Sequence, residues 1–201
     1  MTIKLALLAP VVLALGACAT TGSNAGPTEV SRYHLGQPIA PGTVAIEPVN
    51  GAAQISPEYT MYADAVGTEL SGLGFTPAPT GSQSQYIAAV GFTRQSRGTV
   101  RTPPRFSIGI GGGSFGGGRG GGVGLGGGLS TGIGSKTREL VQSELAVQLK
   151  RRGDGTIVWE GRAQRPALLG PDEQPGITAG RLATALFQGF PGESGITTTV
   201  R

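Results

Sequence analysis

The sequence predicts an α+β domain: a small antiparallel or mixed sheet packed with two helices, carrying a glycine-rich hairpin or loop as an insert. Three observations predict it. Over residues 137–150, Val141, Leu145, Val147 and Leu149 share one parity, with Arg138, Gln142, Glu144, Gln148 and Lys150 on the other. That alternation is the mark of a half-buried strand. Tyr62, Val66, Leu70 and Leu73 fall at helical spacing, and residues 109–134 hold 16 glycines in 26 positions.

The elements follow in order. Gly42–Val49 places Val44, Ile46 and Val49 between turn residues, so a strand is expected at about 43–48. Ser56-Pro57-Glu58 opens a helix, because Ser caps, Pro suits the first turn and Glu favours the positive end of the dipole. Gly74 stops it, and Gly67 inside it fits a close approach to a sheet. Tyr86–Thr93 reads as a second strand. Asp154-Gly155 turns the 137–150 strand into a hairpin with Thr156–Gln164, where Ile157, Trp159 and Ala163 share a face and Trp159 is the largest core residue. A last helix fits Thr178–Gln188, with Leu182 and Leu186 one turn apart, and Phe190-Pro191-Gly192 ends it. The tail 196–201 is polar, loose or docked as a short strand at Ile196–Val200.

The insert has no collagen-like period. Ile108 and Ile110 alternate with glycine, as do Val123 and Leu125. A twisted hairpin and a solvated loop both fit, since glycine-rich strands specify register poorly.

The N-terminus carries the most specific signal. Lys4 precedes an apolar run of 11 residues, Leu5–Leu15, too short to be a lasting membrane span, which needs about 20. A charged start, a short apolar stretch and small residues form a secretory signal. Leu15-Gly16-Ala17-Cys18 matches a lipobox: small side chains suit the peptidase cleft, and the Cys18 thiol takes the diacylglyceryl group. Cys18 is the only cysteine. The expected organisation is a signal peptide at 1–17, a flexible tether at 18–31, a domain at 32–195 and a tail at 196–201. The partner is a membrane, through lipid on Cys18. Ala19, rather than Asp, points to the outer membrane facing the periplasm, with the inner membrane and the cell surface as alternatives.

Chemistry is sparse. Gly112-Gly113-Ser114-Phe115-Gly116 and Gly128-Leu129-Ser130-Thr131-Gly132 both fit G-x-S-x-G, but no helix pattern follows either serine and the sole histidine, His34, lies upstream. The GxGxxG strings lack a helix start and an acidic partner, and Gly134-Ser135-Lys136-Thr137 precedes a strand rather than a phosphate-binding helix. One histidine and one lipid-destined thiol offer no zinc set. No cofactor or metal is expected, and the reading is non-enzymatic. Formal charge is +4; Lys4 is the only charged residue of 1–17, so the mature chain carries 4 − 1 = +3, which does not call for nucleic acid. Arg152-Gly153-Asp154 spells an adhesion tripeptide inside a turn that favours those residues anyway. Arg94, Arg97, Arg101, Arg105 and Arg119 could contact anionic lipid, lipopolysaccharide or peptidoglycan carboxylates; a solvated loop rim is the plainer reading.

These segments resemble the bacterial lipoprotein family labelled domain of unknown function 4136. The resemblance rests on the strand ending in Glu47-Pro48, the following helix, the glycine-rich region before the hairpin, the hairpin RELVQSELAVQLKRRGDGTIVWEGRAQ and the ending ALFQGFPGESG. It spans about residues 30–195. It implies a small lipid-anchored α+β envelope domain without established activity, and it offers no catalytic residues. The expected role is a binding or structural module with an envelope protein or cell-wall partner; an accessory subunit of an envelope transport or secretion complex is the alternative.

Overall fold

The computed structural model describes residues 25–49, 55–102, 107–108, 131–132 and 136–200. Its strands are β1 (Thr28–His34), β2 (Thr43–Pro48), β3 (Thr76–Ala78), β4 (Tyr86–Thr102), β5 (Ser107–Ile108), β6 (Thr131–Gly132), β7 (Lys136–Arg151), β8 (Ile157–Leu168) and β9 (Thr197–Val200). The helices are α1 (Pro57–Gly72) and α2 (Pro175–Phe187), with a short 3-10 turn at Pro171–Glu173 ahead of α2.

The main sheet has seven strands in the order β3-β2-β4-β7-β8-β1-β9. It corrects the expectation of a small sheet packed with helices: this is a large mixed sheet, and strands dominate the fold. The parallel part arises because α1 carries the chain back, so that β2 lies parallel to both β3 and β4; every other pair in the sheet is antiparallel.

Three strand features went unread for identifiable reasons, and a fourth decides between the two alternatives for the tail. β1 puts Thr28, Val30 and Arg32 inward, so no apolar alternation advertises it, and residues 28–31 belong to the sheet rather than to a tether. β3 is three residues long with a proline, Pro77, which suits an edge strand. β4 runs on past Phe92 through polar residues because β7 pairs with it as far as Thr102↔Lys136. β9 is the docked form of the tail and pairs with β1.

The strand at 43–48 and the helix after Ser56 form as the sequence indicates: the Ser56 hydroxyl accepts from the Tyr59 amide at 3.0 Å, and α1 buries Tyr59, Tyr62, Val66 and Leu70. A Cβ at Gly67 would lie 3.0 Å from Ile46 Cδ1, so the glycine does mark the close approach of helix and sheet. In the β7–β8 hairpin, the register shifts between Leu149↔Trp159 and Lys150↔Ile157. Val158 is the extra residue; it turns inward, and Ile157, expected inward, is left exposed. α2 starts three residues before the expected Thr178.

Both helices lie on one face of the sheet. Val30, Ala88, Val90, Leu145, Val147, Leu149, Trp159 and Ala163 meet them there as a continuous core. Trp159 is the largest fully buried side chain. It stacks on Phe187 with ring centroids 5.3 Å apart, and its indole N–H donates to the Pro191 carbonyl at 3.0 Å. The β5–β6 pair closes the base of the glycine-rich insert; the expectations for the rest of it, the serine motifs among them, lie outside the described residues.

One polar side chain holds the end of this layer. Arg32 on β1 is buried, and its guanidinium donates to the carbonyls of Leu186 (2.9 Å), Ala185 (2.9 Å) and Gln188 (3.0 Å). α2 has no basic residue in its last turn, so β1 supplies the positive charge that a helix C-terminus favours. Gly192 makes room: its φ is +80°, and a Cβ there would fall 2.7 Å from Arg32 Cδ. Arg32→Met leaves these carbonyls without a donor and should cost about 3 kcal/mol, roughly 10 °C in melting temperature, with Arg32→Lys intermediate. A melt of Arg32→Met unchanged from wild type contradicts the assignment.

Candidate functional site

The helix-covered face changes character towards the end of the sheet where residue 25 enters. One layer, Phe92–Leu145–Ala163, is apolar; the next, across the same three strands, is Arg94–Ser143–Arg165. Glu173, in the 3-10 turn, meets this polar row. Its carboxylate accepts from Arg181 at 3.0 Å and from Thr178 at 3.2 Å, and lies 3.4 Å from Arg165. Its carbonyl accepts from Arg94 at 3.2 Å. Glu173 is buried and Arg165 nearly so, which makes the pairing matter: removing one partner of a buried pair strands the other charge in low dielectric. The cluster seats the start of α2 on β4 and β8.

Beside it, α1 presents Tyr62 and Glu58. Arg94 lies 3.9 Å from Glu58. Tyr62 is fully buried and stacked on Phe92 at 4.6 Å, and its hydroxyl has no hydrogen-bond partner among the described residues. Burial, then the nearby Glu58 carboxylate, pushes its phenol up to about 12, with Arg94 opposing and Glu173 adding to the rise.

Against the other flank of α2 runs an open groove of about 1130 Å³. Thr28, Val200 and Arg165 contribute from the sheet, Gly180, Arg181, Thr184 and Gln188 from α2, and the chain enters along it at Ala25–Pro27. Two helices cover seven strands, and the groove lies where the helix layer stops short of the β9 edge. Its lining holds two guanidinium groups, both paired with Glu173, a Glu69 carboxylate bonded by Thr184 at 2.7 Å, the Gln188 amide and small residues. That chemistry suits an extended polar segment; the lining holds no histidine or cysteine.

The sequence-predicted residues scatter. Leu15, Gly16, Ala17 and Cys18 lie outside the described residues, as do Arg105 and Arg119. Arg94 is committed to Glu173 and Glu58 rather than to a loop rim. Arg97 and Arg101 sit on a strand, not a loop, and are exposed. In the Arg152-Gly153-Asp154 turn, Arg152 pairs with Glu47 at 2.7 Å and Arg151 with Asp154 at 3.2 Å, an internal use of the tripeptide. His34 accepts at Nδ1 from the Gly36 amide, so its Nε2 donates to the Gly192 carbonyl at 3.1 Å. Sequence reasoning missed Arg32, Arg165, Glu173 and Arg181. The available signal was parity: Arg32, Arg94 and Arg165 all fall on the inward register of their strands, where an arginine needs a buried partner. Among the described residues, no helix is long and apolar enough to cross a membrane, and no cluster of three His, Cys, Asp or Glu could hold a metal.

An uncharacterized protein of Zymomonas mobilis subsp. mobilis is 34% identical over 213 aligned positions, which cover 87% of this chain and 80% of that protein. The chain belongs to its family. No protein-family model matches. Among solved structures, a PDZ domain protein from Parabacteroides distasonis aligns with a TM-score of 0.48 and 11% identity over 88% of this chain; the chain spans about two fifths of that protein, 39%. A PelC dodecamer from Paraburkholderia phytofirmans aligns with a TM-score of 0.39 and 10% identity, covering 80% of this chain and 91% of that one. At these scores neither likeness establishes a shared fold.

The Tyr62 phenol yields a signed pH dependence. Its folded value lies above the ordinary tyrosine value of about 10, so the folded chain keeps a proton that the unfolded chain releases. Its contribution is intact below about pH 10 and is lost as pH rises towards 12, on the order of 3 kcal/mol in all. Tyr62→Phe should keep stability at neutral pH and lessen this alkaline loss. Urea unfolding at stepped alkaline pH measures both, and equal losses in the two proteins would refute the coupling.

Proposed function

We propose that this protein is a lipid-anchored envelope lipoprotein, tethered through Cys18 to the outer membrane and facing the periplasm, where it serves as a non-enzymatic binding or structural module. The observation that carries the reading is Leu15-Gly16-Ala17-Cys18, directly after the 11-residue apolar run and holding the only cysteine of the chain. Two acyl chains make such anchoring stable where one is marginal, because each buried methylene contributes about 0.8 kcal/mol. The groove beside α2 supports the binding role: it is open, and the Gln188 amide and small residues along it fit an extended segment. The second reading, an accessory subunit of an envelope transport or secretion complex, draws on the same groove and on the exposed arginines of β4.

The test is fractionation together with metabolic labelling by a palmitate analogue. The wild-type protein is expected in the membrane fraction, labelled. Cys18→Ser is expected to be unlabelled and to lose membrane retention. An unlabelled wild type, or a Cys18→Ser chain retained equally well, overturns the proposal.

A further inference from the structure

Beyond Leu140↔Leu168, the last rung it shares with β8, and a bond from the Leu169 amide to the Glu139 carbonyl at 2.8 Å, β7 continues with β4 as a two-stranded ribbon, pairing Thr99–Thr102 with Lys136–Glu139. A bulge at Arg97-Gly98, where Gly98 has φ +102°, precedes it. Arg97 in the bulge, with Arg101, Lys136 and Arg138 on the arm, sets four basic residues against one acid, Glu139. Arg94, Arg151, Arg152, Arg162, Arg165 and Arg181 each have a carboxylate partner. Arg97, Arg101 and Arg138 have none among the described residues. Of the acids at the foot of the arm, Glu173 is taken up by Arg165 and Arg181, and Glu58 lies 3.9 Å from Arg94.

The start of the described chain fixes the direction of this arm. Ala25 bridges to Ala167, and Ala167 pairs with Val141. Residue 25 therefore lies level with the foot of the ribbon, at the same end of the sheet. Cys18 is 25 − 18 = 7 residues away, a reach of at most about 25 Å. From Val141 to Lys136 the ribbon projects five residues further, about 17 Å. An anchor on Cys18 thus places the membrane within reach of the arm, whereas the turn at 152–156 sits at the far end of the sheet.

We infer that the ribbon bearing Arg97, Arg101 and Arg138 docks on the anionic phospholipid headgroups of the leaflet that holds the anchor, setting the domain's orientation. The occupant follows from the unpaired positive charge and from the length of chain between Ala25 and Cys18. The inference rests on the lipid-anchor reading for its geometry. Exposed Val100 lies across from Arg138 and adds an apolar contact beside that charge.

The experiment removes the anchor so that the ribbon is measured by itself. The mature chain carrying Cys18→Ser is sedimented with vesicles of mixed phosphatidylglycerol and phosphatidylcholine, and with phosphatidylcholine alone. It should bind the mixed vesicles, and added salt should weaken that binding. Replacing Arg97, Arg101 and Arg138 together by Gln should lower the partition on the order of a hundredfold, roughly fivefold for each arginine. Arg151→Gln, at the far end, should leave it unchanged. Fluorescence of Trp159 reports whether each variant is folded. Equal binding to both vesicle types, binding insensitive to salt, or a folded triple variant binding like wild type overturns the inference. Where the triple variant does not fold, the single replacements Arg97→Gln, Arg101→Gln and Arg138→Gln, each expected to lower the partition roughly fivefold, test the same surface, and three folded single variants that bind like wild type overturn the inference. Failure of the lipid-anchor reading appears separately, as absent acyl label on Cys18.

Discussion

Helix α2 is fastened to the sheet at both ends by arginines that the sheet provides. Arg32 closes its C-terminus by donating to three carbonyls. Ahead of its N-terminus, Glu173 is gripped between Arg165 and Arg181, and Arg94 holds the Glu173 carbonyl. The aromatic packing of Trp159, Phe187 and Phe190 depends on this placement. So does the groove, whose wall is the outer flank of α2. A helix held only by its apolar stripe could slide along the core; fixed donors at each end give it one position. Of the two ends, the C-terminal one depends on a single residue, and β1 brings it from more than 150 residues away in sequence.

The same arginines explain how a sheet covered on one face ends. Towards residue 25 the covered face passes from Leu145 and Phe92 to Ser143, Arg94 and Arg165. The polar groups stay buried or half-buried there, and Arg94 and Arg165 are satisfied through Glu173. The opposite end is tied by other pairs, Arg152 with Glu47 and Arg151 with Asp154. Among the described residues, basic charge without acidic partners is left on the β4–β7 ribbon and its bulge, which makes the two ends of the sheet unlike.

Much of the core was legible in the sequence, because the β7 alternation, the α1 face and the Asp154-Gly155 turn each express a local rule. Ser56 at the head of α1 is a cap whose hydrogen bond forms as its position indicates. What escaped was set by tertiary partners. β1 carries an inward arginine and threonine, so its pattern resembles a polar segment until Leu186 and its neighbours are placed above it. The polar half of β4 is a strand only because β7 lies beside it. The Val158 bulge reverses Ile157 without any change of residue type that could announce it. The large mixed sheet, in place of the small one expected, follows from these same strands. The site fared less well. Arg94 was singled out for its charge but is bound internally, and Glu173 stood unnoticed among turn residues.

The functional account hangs on one thiol close to the domain. Cys18 is seven positions before Ala25, which sits beside the foot of the basic ribbon, so a lipid at Cys18 would bring that end of the sheet to the membrane. Intact-mass measurement of the protein extracted from membranes tests this most directly. The account predicts a chain beginning at Cys18 and heavier than its sequence by a diacylglyceryl group, with or without a further acyl chain. A chain that retains residues 1–17, or one that begins at Cys18 with an unmodified thiol, would contradict it.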